Sequence, residues 1–362
     1  MKQILILLVL ANSFLSFAQS VDTSAAKART AKSKEVLVCS PNGEDGTMTV
    51  GDALRKLKRG MTLHFKGGTY SEPSFLELSE NDLILEGEIG KTTNLSFNLK
   101  GKNAIIRNLW CQSVDCSNEV TIVDSVITNS IDLRNDMNMP KHKNFMHNSV
   151  VSYVMLSSAG DKVNLSLEMK NCAVILYGGG VYSYSGGRAN VNGTTRHSNS
   201  SAIYYDEESE VILSNCILYS YDTVFMCTTT TYGTISKGRL TVKDCAIQGL
   251  INLGFLEAYK NTATYDSKDT NQVIKEFKDL RKLGIVSLSG NNQQVRLEFE
   301  QKDKRIDSPG SYTVKAGIPD KMLVGPSLNS EGYPAPAEKK LAGSTAATPA
   351  TPPQGPTPMK KP

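Results

Sequence analysis

The chain has 362 residues, 40% of them hydrophobic and 21% charged, with 40 Lys and Arg against 36 Asp and Glu and a formal net charge of +4. That is ample chain for one elongated core, and the small, dispersed charge excess gives no support for nucleic-acid binding. Neither a phosphate-cradling loop nor a dinucleotide fingerprint occurs, so a nucleotide cofactor is not expected.

At the start, one Lys, the apolar run ILILLVLA and the small residues Ser16 and Ala18 make a secretory signal peptide over residues 1–18, cleaved after Ala18. No Cys stands at the cut, and no later run reaches the ~20 apolar residues of a membrane span. A secreted or periplasmic bacterial protein is expected. Residues 19–35 are small and polar and read as a disordered leader. Within Gly51–Gly60, Ala53, Leu54 and Leu57 share one side, as a short helix capping the end of a core requires. Strand-like runs MTLHF, DLILEGE, LSFNL and AIIRNL follow from Met61.

The chain then repeats one phrase: an alternating apolar run, Asn or Asp, Cys or Ser, and a second apolar run. Its pivots are Asn108, Asp124, Asn148, Asn171, Asn215 and Asp244. A pivot between two short strands must turn the chain sharply, and Asn and Asp best tolerate the left-handed conformation among non-glycine residues. The following residue, Ser125, Ser149, Cys172, Cys216 or Cys245, is small and is expected to face inward where bulk does not fit. Spacings of one to two coils of ~20–30 residues predict a solenoid, in which each coil buries its apolar side only against its neighbours.

These Asn-ladder coils, with the segment GDALRKLKRGMTLHFKGGTY at 51–70, resemble right-handed parallel β-helix proteins of the pectin-lyase-like superfamily. The resemblance covers about residues 36–260. It implies an all-β, right-handed parallel β-helix solenoid with an N-terminal cap. It also implies that an extracellular polysaccharide is bound, and in some relatives cleaved, along an outer strand face. Chemistry does not follow from the fold. The chain lacks the Asn-Thr-Asp, Asp-Asp and Gly-His-Gly motifs of polygalacturonases, the Gln/Asp/Asp/Arg set of pectin methylesterases and the Arg-centred motif of pectate lyases.

Insertions at 134–143, 177–200 and 228–238 break the rhythm and are expected as flanking loops, the usual home of binding residues. If SIDLR at 130–134 and SAIYY at 201–205 share one face two coils apart, the loops border one groove. For a lyase of acidic sugars, Lys141, Arg188 or His197 is a candidate base and Tyr204 a candidate acid. Asp132, Arg134, His142, Tyr182, Tyr184, Tyr205, Asp206 and Glu207 are candidate binding residues, with only one of Tyr204 and Tyr205 able to face outward. The acidic run DEESE at 206–210 makes calcium a candidate cofactor, though it lacks the alternating ligands of a calcium loop. The alternative function is a non-catalytic envelope or surface scaffold.

Seven cysteines in an oxidising compartment raise the question of disulfides. Small buried roles are expected for the three pivot cysteines, while Cys111 and Cys116 are placed to close a small loop. No Cys/His pattern suggests zinc. Residues 261–334 read as a small α+β closing subdomain with a helix over 270–284, and 335–362 as a disordered Pro/Ala/Thr tail. Sequence leaves the oligomeric state open.

Overall fold

The structure, a computed structural model, describes residues 20–33, 35–44, 46–71, 75–135, 140–158, 165–176, 201–206, 209–228, 239–253, 264–265, 286–301, 312–319, 322–329 and 333–334. Its body is two sheets of parallel strands wound as a solenoid. The first sheet has ten strands in chain order, from Val36–Cys39 through Ala104–Arg107, Val120–Val123, His142–His147, Leu165–Lys170, Ser209–Ser214 and Arg239–Lys243 to Val286–Ser289. The second sheet runs from Phe75–Leu78 through Trp110–Cys116, Val126–Asn135, Val150–Ser158 and Ile217–Thr228 to Ala246–Leu253, ending on the antiparallel strand Thr264–Tyr265. Register breaks at Cys111/Ser113, Val151/Tyr153 and Tyr219/Thr223 divide the second sheet into an upper and a lower run. Each full coil therefore has three outer faces.

The turning corner is built as its residue types demand. All six pivots have left-handed backbone, with φ between 49° and 53° at Asn108, Asp124, Asn148, Asn171, Asn215 and Asp244. After every pivot but Asn108, which Leu109 follows, the next residue is a Ser or Cys whose side chain links neighbouring coils. Ser125 Oγ donates to the Val123 carbonyl (2.7 Å) and accepts from Leu109 N of the preceding coil (3.2 Å). Ser149 Oγ donates to the His147 carbonyl (2.8 Å) and accepts from Ser125 N (3.1 Å). Cys245 Sγ continues the column by donating to the Lys243 carbonyl (3.2 Å) and accepting from Cys216 N (3.4 Å). A hydroxyl or thiol is required because it satisfies a buried backbone amide of one coil and a carbonyl of the next.

Cys39, Cys111, Cys116, Cys172, Cys216 and Cys245 are buried free thiols. Cys111 and Cys116 do not close a loop: they lie on opposite sides of the register break, both in the core. Burial pushes both thiols up to about 12.

Both terminal segments fold back onto the solenoid. Residues 20–30, expected to be a disordered leader, form a helix on the outer face of the first sheet. Ala25 and Ala28 pack on Val123 with Ile105 beside them. Arg29 donates to both carboxylate oxygens of Asp124 (2.6 and 2.7 Å), and Lys170 donates to Asp22 (2.6 Å). Ser20 Oγ donates to Glu168 (2.6 Å), while Arg107 donates to the carbonyls of Ala28, Arg29 and Ala31, a cation at the helix C-terminus. A polar, Ala-rich segment becomes ordered because a charged strand face awaits it. The cap helix Val50–Lys56 behaves as its pattern predicts, with Thr49 Oγ1 accepting from Asp52 N (3.2 Å) and Ala53 in the core.

Residues 286–294, assigned from the sequence to a closing subdomain, instead add a last rung. Val286–Ser289 joins the first sheet and Gln293–Gln294 the second, while Gly290 (φ 68°) takes the pivot position and Asn292 Oδ1 accepts from Cys245 N (2.9 Å). The chain then runs back over the upper run of the second sheet. Outward-facing Trp110, Val126, Val150, Ala173 and Ile217 pack against Leu297, Phe299, Val314, Val324 and Tyr333. Gly325 (φ 83°) donates to the Asn215 carbonyl, and a Cβ there would meet Ile217 Cδ1 at 2.5 Å, so only glycine fits. The helix expected over 270–284 and the tail from 335 lie outside the described residues.

Candidate functional site

Among the described residues, the lower run of the second sheet is the outer face on which neither terminal segment packs. Its inward side chains, Val114, Cys116, Ile131, Leu133, Val154 and Leu156, are core. Strand alternation turns the residues between them outward. In register, one outward row reads Glu77, Asn98, Asp115, Asp132 and Met155. Glu77 is exposed, Asn98 and Asp115 are half-buried, and Asp132 and Met155 are each 5% exposed, so the row descends from solvent into cover.

Asp115 and Asp132 are direct register partners on adjacent coils, ~4.8 Å apart along the backbone. Arg134 Nε donates to Asp132 Oδ2 (2.9 Å), and Arg134 Nη2 bonds the same oxygen. Asp132 Oδ1 is buried and has no hydrogen-bond partner among the described residues. Burial first, then the neighbouring Asp132 charge, raises the Asp115 carboxyl above its ordinary value, against the pull of Arg134. The pair thus sets a carboxyl that burial raises beside one that a guanidinium holds. Nearby, Asn135 Nδ2 donates to the Pro140 carbonyl (3.3 Å) across the base of the 134–143 insertion.

The sequence-derived candidates divide. Ile131 pairs with Val154 and Val154 with Ile203, so SIDLR and SAIYY lie two coils apart on this face. The backbone register sets Tyr204 in line with Met155 and Met226, and Tyr205 in line with Leu156 and Cys227; Asp206 ends the same strand. Lys141 is elsewhere, 3.9 Å from Glu210 on the first sheet. His142 is not in a solvated loop: it opens a first-sheet strand, is 3% exposed, and burial lowers its pKa. Glu210, the last residue of the acidic run, faces Lys141, and no group of three or more metal-ligating side chains converges among the described residues. Tyr182, Tyr184, Arg188, His197 and Glu207 lie outside the described residues.

Asp115 is the residue that sequence reasoning missed. Its signal was present: Ser113-Val114-Asp115 recurs as Ser130-Ile131-Asp132, and the two serines meet in the structure (Ser130 Oγ to Ser113 Oγ 3.4 Å).

A cleft of about 170 Å³ opens beside the first turn of the N-terminal helix, lined by Val21, Glu168, Lys170, Ile212, Thr241 and Lys243. It lies on the first sheet, away from the carboxylate pair. Burial raises the pKa of Glu168, but Ser20 already bonds it, and we assign the space to the helix docking seam.

No helix among the described residues is long and apolar enough to cross a membrane. No family model matches the chain. Neither a curated protein nor a solved structure matches it.

Proposed function

We propose that the protein is an exported, right-handed parallel β-helix protein that binds an extracellular polysaccharide along the lower run of its second sheet. Asp115, Asp132 and Arg134 form the centre of that site. The observation that carries the reading is the carboxyl pair itself, Asp115 and Asp132 in direct register with Asp132 Oδ1 buried and unpartnered among the described residues, on the outer face that neither described terminal segment covers. Sugar hydroxyls are natural donors to Asp132 Oδ1. Two carboxyl groups facing one site are the arrangement that acid–base glycoside hydrolysis uses. Asp115, whose carboxyl burial raises above its ordinary value, is the candidate acid in this reading, and Asp132 is the carboxyl that Arg134 holds beside it. Hydrolysis is therefore the reaction to assay ahead of β-elimination, whose base no described side chain supplies at this face. Calcium enters the proposal only through the two carboxylates, whose oxygens suit a hard cation.

A non-catalytic surface scaffold is the second reading. The observation behind it is that both terminal segments fold back as covers, which stiffens a rod without adding a reacting group.

Affinity electrophoresis of the full chain in gels containing neutral, amino-sugar or acidic polysaccharides, with and without calcium, tests binding. New reducing ends and unsaturated products are followed in parallel. Retardation by at least one polymer, weakened in Asp132→Asn and Asp115→Asn, is expected. Migration unchanged by every polymer overturns the reading in favour of the scaffold.

A further inference from the structure

Among the described residues, the charges on the proposed glycan face do not balance, and the imbalance has a direction. The charged described groups along the row are Glu77, Lys100, Asp115, Asp132 and Arg134. At the exposed end Glu77 is matched by Lys100 (2.6 Å). At the centre two carboxylates face one guanidinium. Both Arg134 bonds to Asp132 end on the same oxygen, Oδ2, which leaves Oδ1 buried without a donor. A buried carboxylate oxygen with no donor is destabilising, and a second acid beside it adds like-charge repulsion.

We propose that the glycan recognised here is an amino-sugar polymer with free ammonium groups, one of which donates to Asp132 Oδ1 and lies between Asp132 and Asp115. This rests on the reading of the lower run as a glycan-binding face. An ammonium supplies the missing donor and the missing positive charge together. A hydroxyl supplies only the donor. A uronate supplies a donor through its ring hydroxyls but no positive charge, and its carboxylate adds a further negative charge beside two carboxyl groups whose described guanidinium is already engaged. Asn98, Ser113 and Ser130 flank the acids with neutral donors and acceptors that suit the ring hydroxyls. Ligand ammonium also draws Asp115 toward its ionised form, so binding strengthens as pH rises through the acid range and fades where the amine loses its proton.

The test is calorimetric titration of the full chain with glucosamine oligomers, their N-acetylated counterparts and oligogalacturonate of equal length. Glucosamine oligomers are expected to bind at least about ten-fold more tightly than the acetylated ones, as a charge-assisted bond requires. Asp132→Asn and the more exposed Asp115→Asn should each remove most of that difference, and Glu77→Gln, on the same row but paired with Lys100, should leave it intact. Circular dichroism checks that the variants fold. Acetylated oligomers or oligogalacturonate binding as tightly as glucosamine oligomers overturns this inference and leaves the glycan-binding reading standing. Heat-silent titrations with all three, together with unretarded migration in the gels, overturn both.

Discussion

The two terminal segments cover the solenoid by opposite means. The C-terminal segment lies on apolar side chains, with Trp110 against Tyr333 (ring centroids 5.4 Å) and Tyr219 against Phe299 (4.6 Å). The N-terminal helix contributes little more than Ala25, Ala28 and Val21 to apolar contact and is held by ion pairs and hydrogen bonds. The aromatic cover is non-directional and is not weakened by charge screening, whereas the charged one is specific and responds to ionic strength and pH. One chain thus has an apolar cover on one face and a charged one on another.

The largest expected effect comes from the apolar side. Trp110→Ala empties the ground on which Tyr333 sits and should cost about 3–5 kcal/mol. Thermal unfolding measures it, and limited proteolysis should show earlier cutting after residue 295. A fall under about 1 kcal/mol would mean that the segment packs there without contributing to stability.

On the charged side, Arg29→Ala leaves the Asp124 carboxylate, whose side chain is 1% exposed, without its cation. Breaking a buried pair costs up to ~3–5 kcal/mol. The Asn148 Nδ2 bond to Asp124 (2.6 Å) remains and Arg29 is itself partly solvated, so about 2 kcal/mol is expected. Hydrogen exchange should show protection lost over residues 20–30 while the C-terminal segment keeps its own. Simultaneous release of both covers would contradict their independence.

A third substitution probes the corner that both covers lean on. Asn171→Ala puts an ordinary L-residue at φ 53° and should cost about 1–2 kcal/mol, whereas Asn171→Gly should cost less because glycine adopts that φ freely. Equal losses for the two, read by chemical denaturation, would show that the side-chain bonds, not the backbone conformation, set the residue's worth.

The smallest effect is titration of His147. Burial, then the Arg29 charge, lowers its pKa from 6.5, with Lys170 acting in the same sense and Asp22 and Asp124 opposing. Arg29 Nη2 lies 3.1 Å from His147 Nδ1, a bond that requires this nitrogen unprotonated. A depressed folded pKa means that the undocked state binds the extra proton first. Helix docking is therefore undiminished above about 6.5 and weakens as pH falls from there toward the lowered value. Exchange protection of residues 20–30 should follow that curve in the wild type and flatten in His147→Gln. A curve unchanged by the substitution would place the titration on another group.

Much of the architecture was legible in the chain because it is set locally. An Asn or Asp between two alternating runs can hardly be other than a left-handed corner, and six such corners in succession demand stacking. The Ser or Cys that follows was readable as small and inward, though its double hydrogen bond to two coils was not. Asp132 and Arg134 were readable as outward residues of a strand beside an insertion. Asp115 was not, because its importance lies only in what stands one coil away.

The amino-acid sequence by itself therefore determined the coil: strand, pivot, small residue, strand, with a cap helix at the start. Tertiary structure decided what the coils do to one another. It made helix from a polar leader, turned Val286–Ser289 into a last rung, and brought Asp115 beside Asp132. Pivots and alternation act within a few residues, so composition exposes them. Covers and carboxylate pairs depend on coil register and on where a distant segment returns, and both are set by the packing of the whole solenoid.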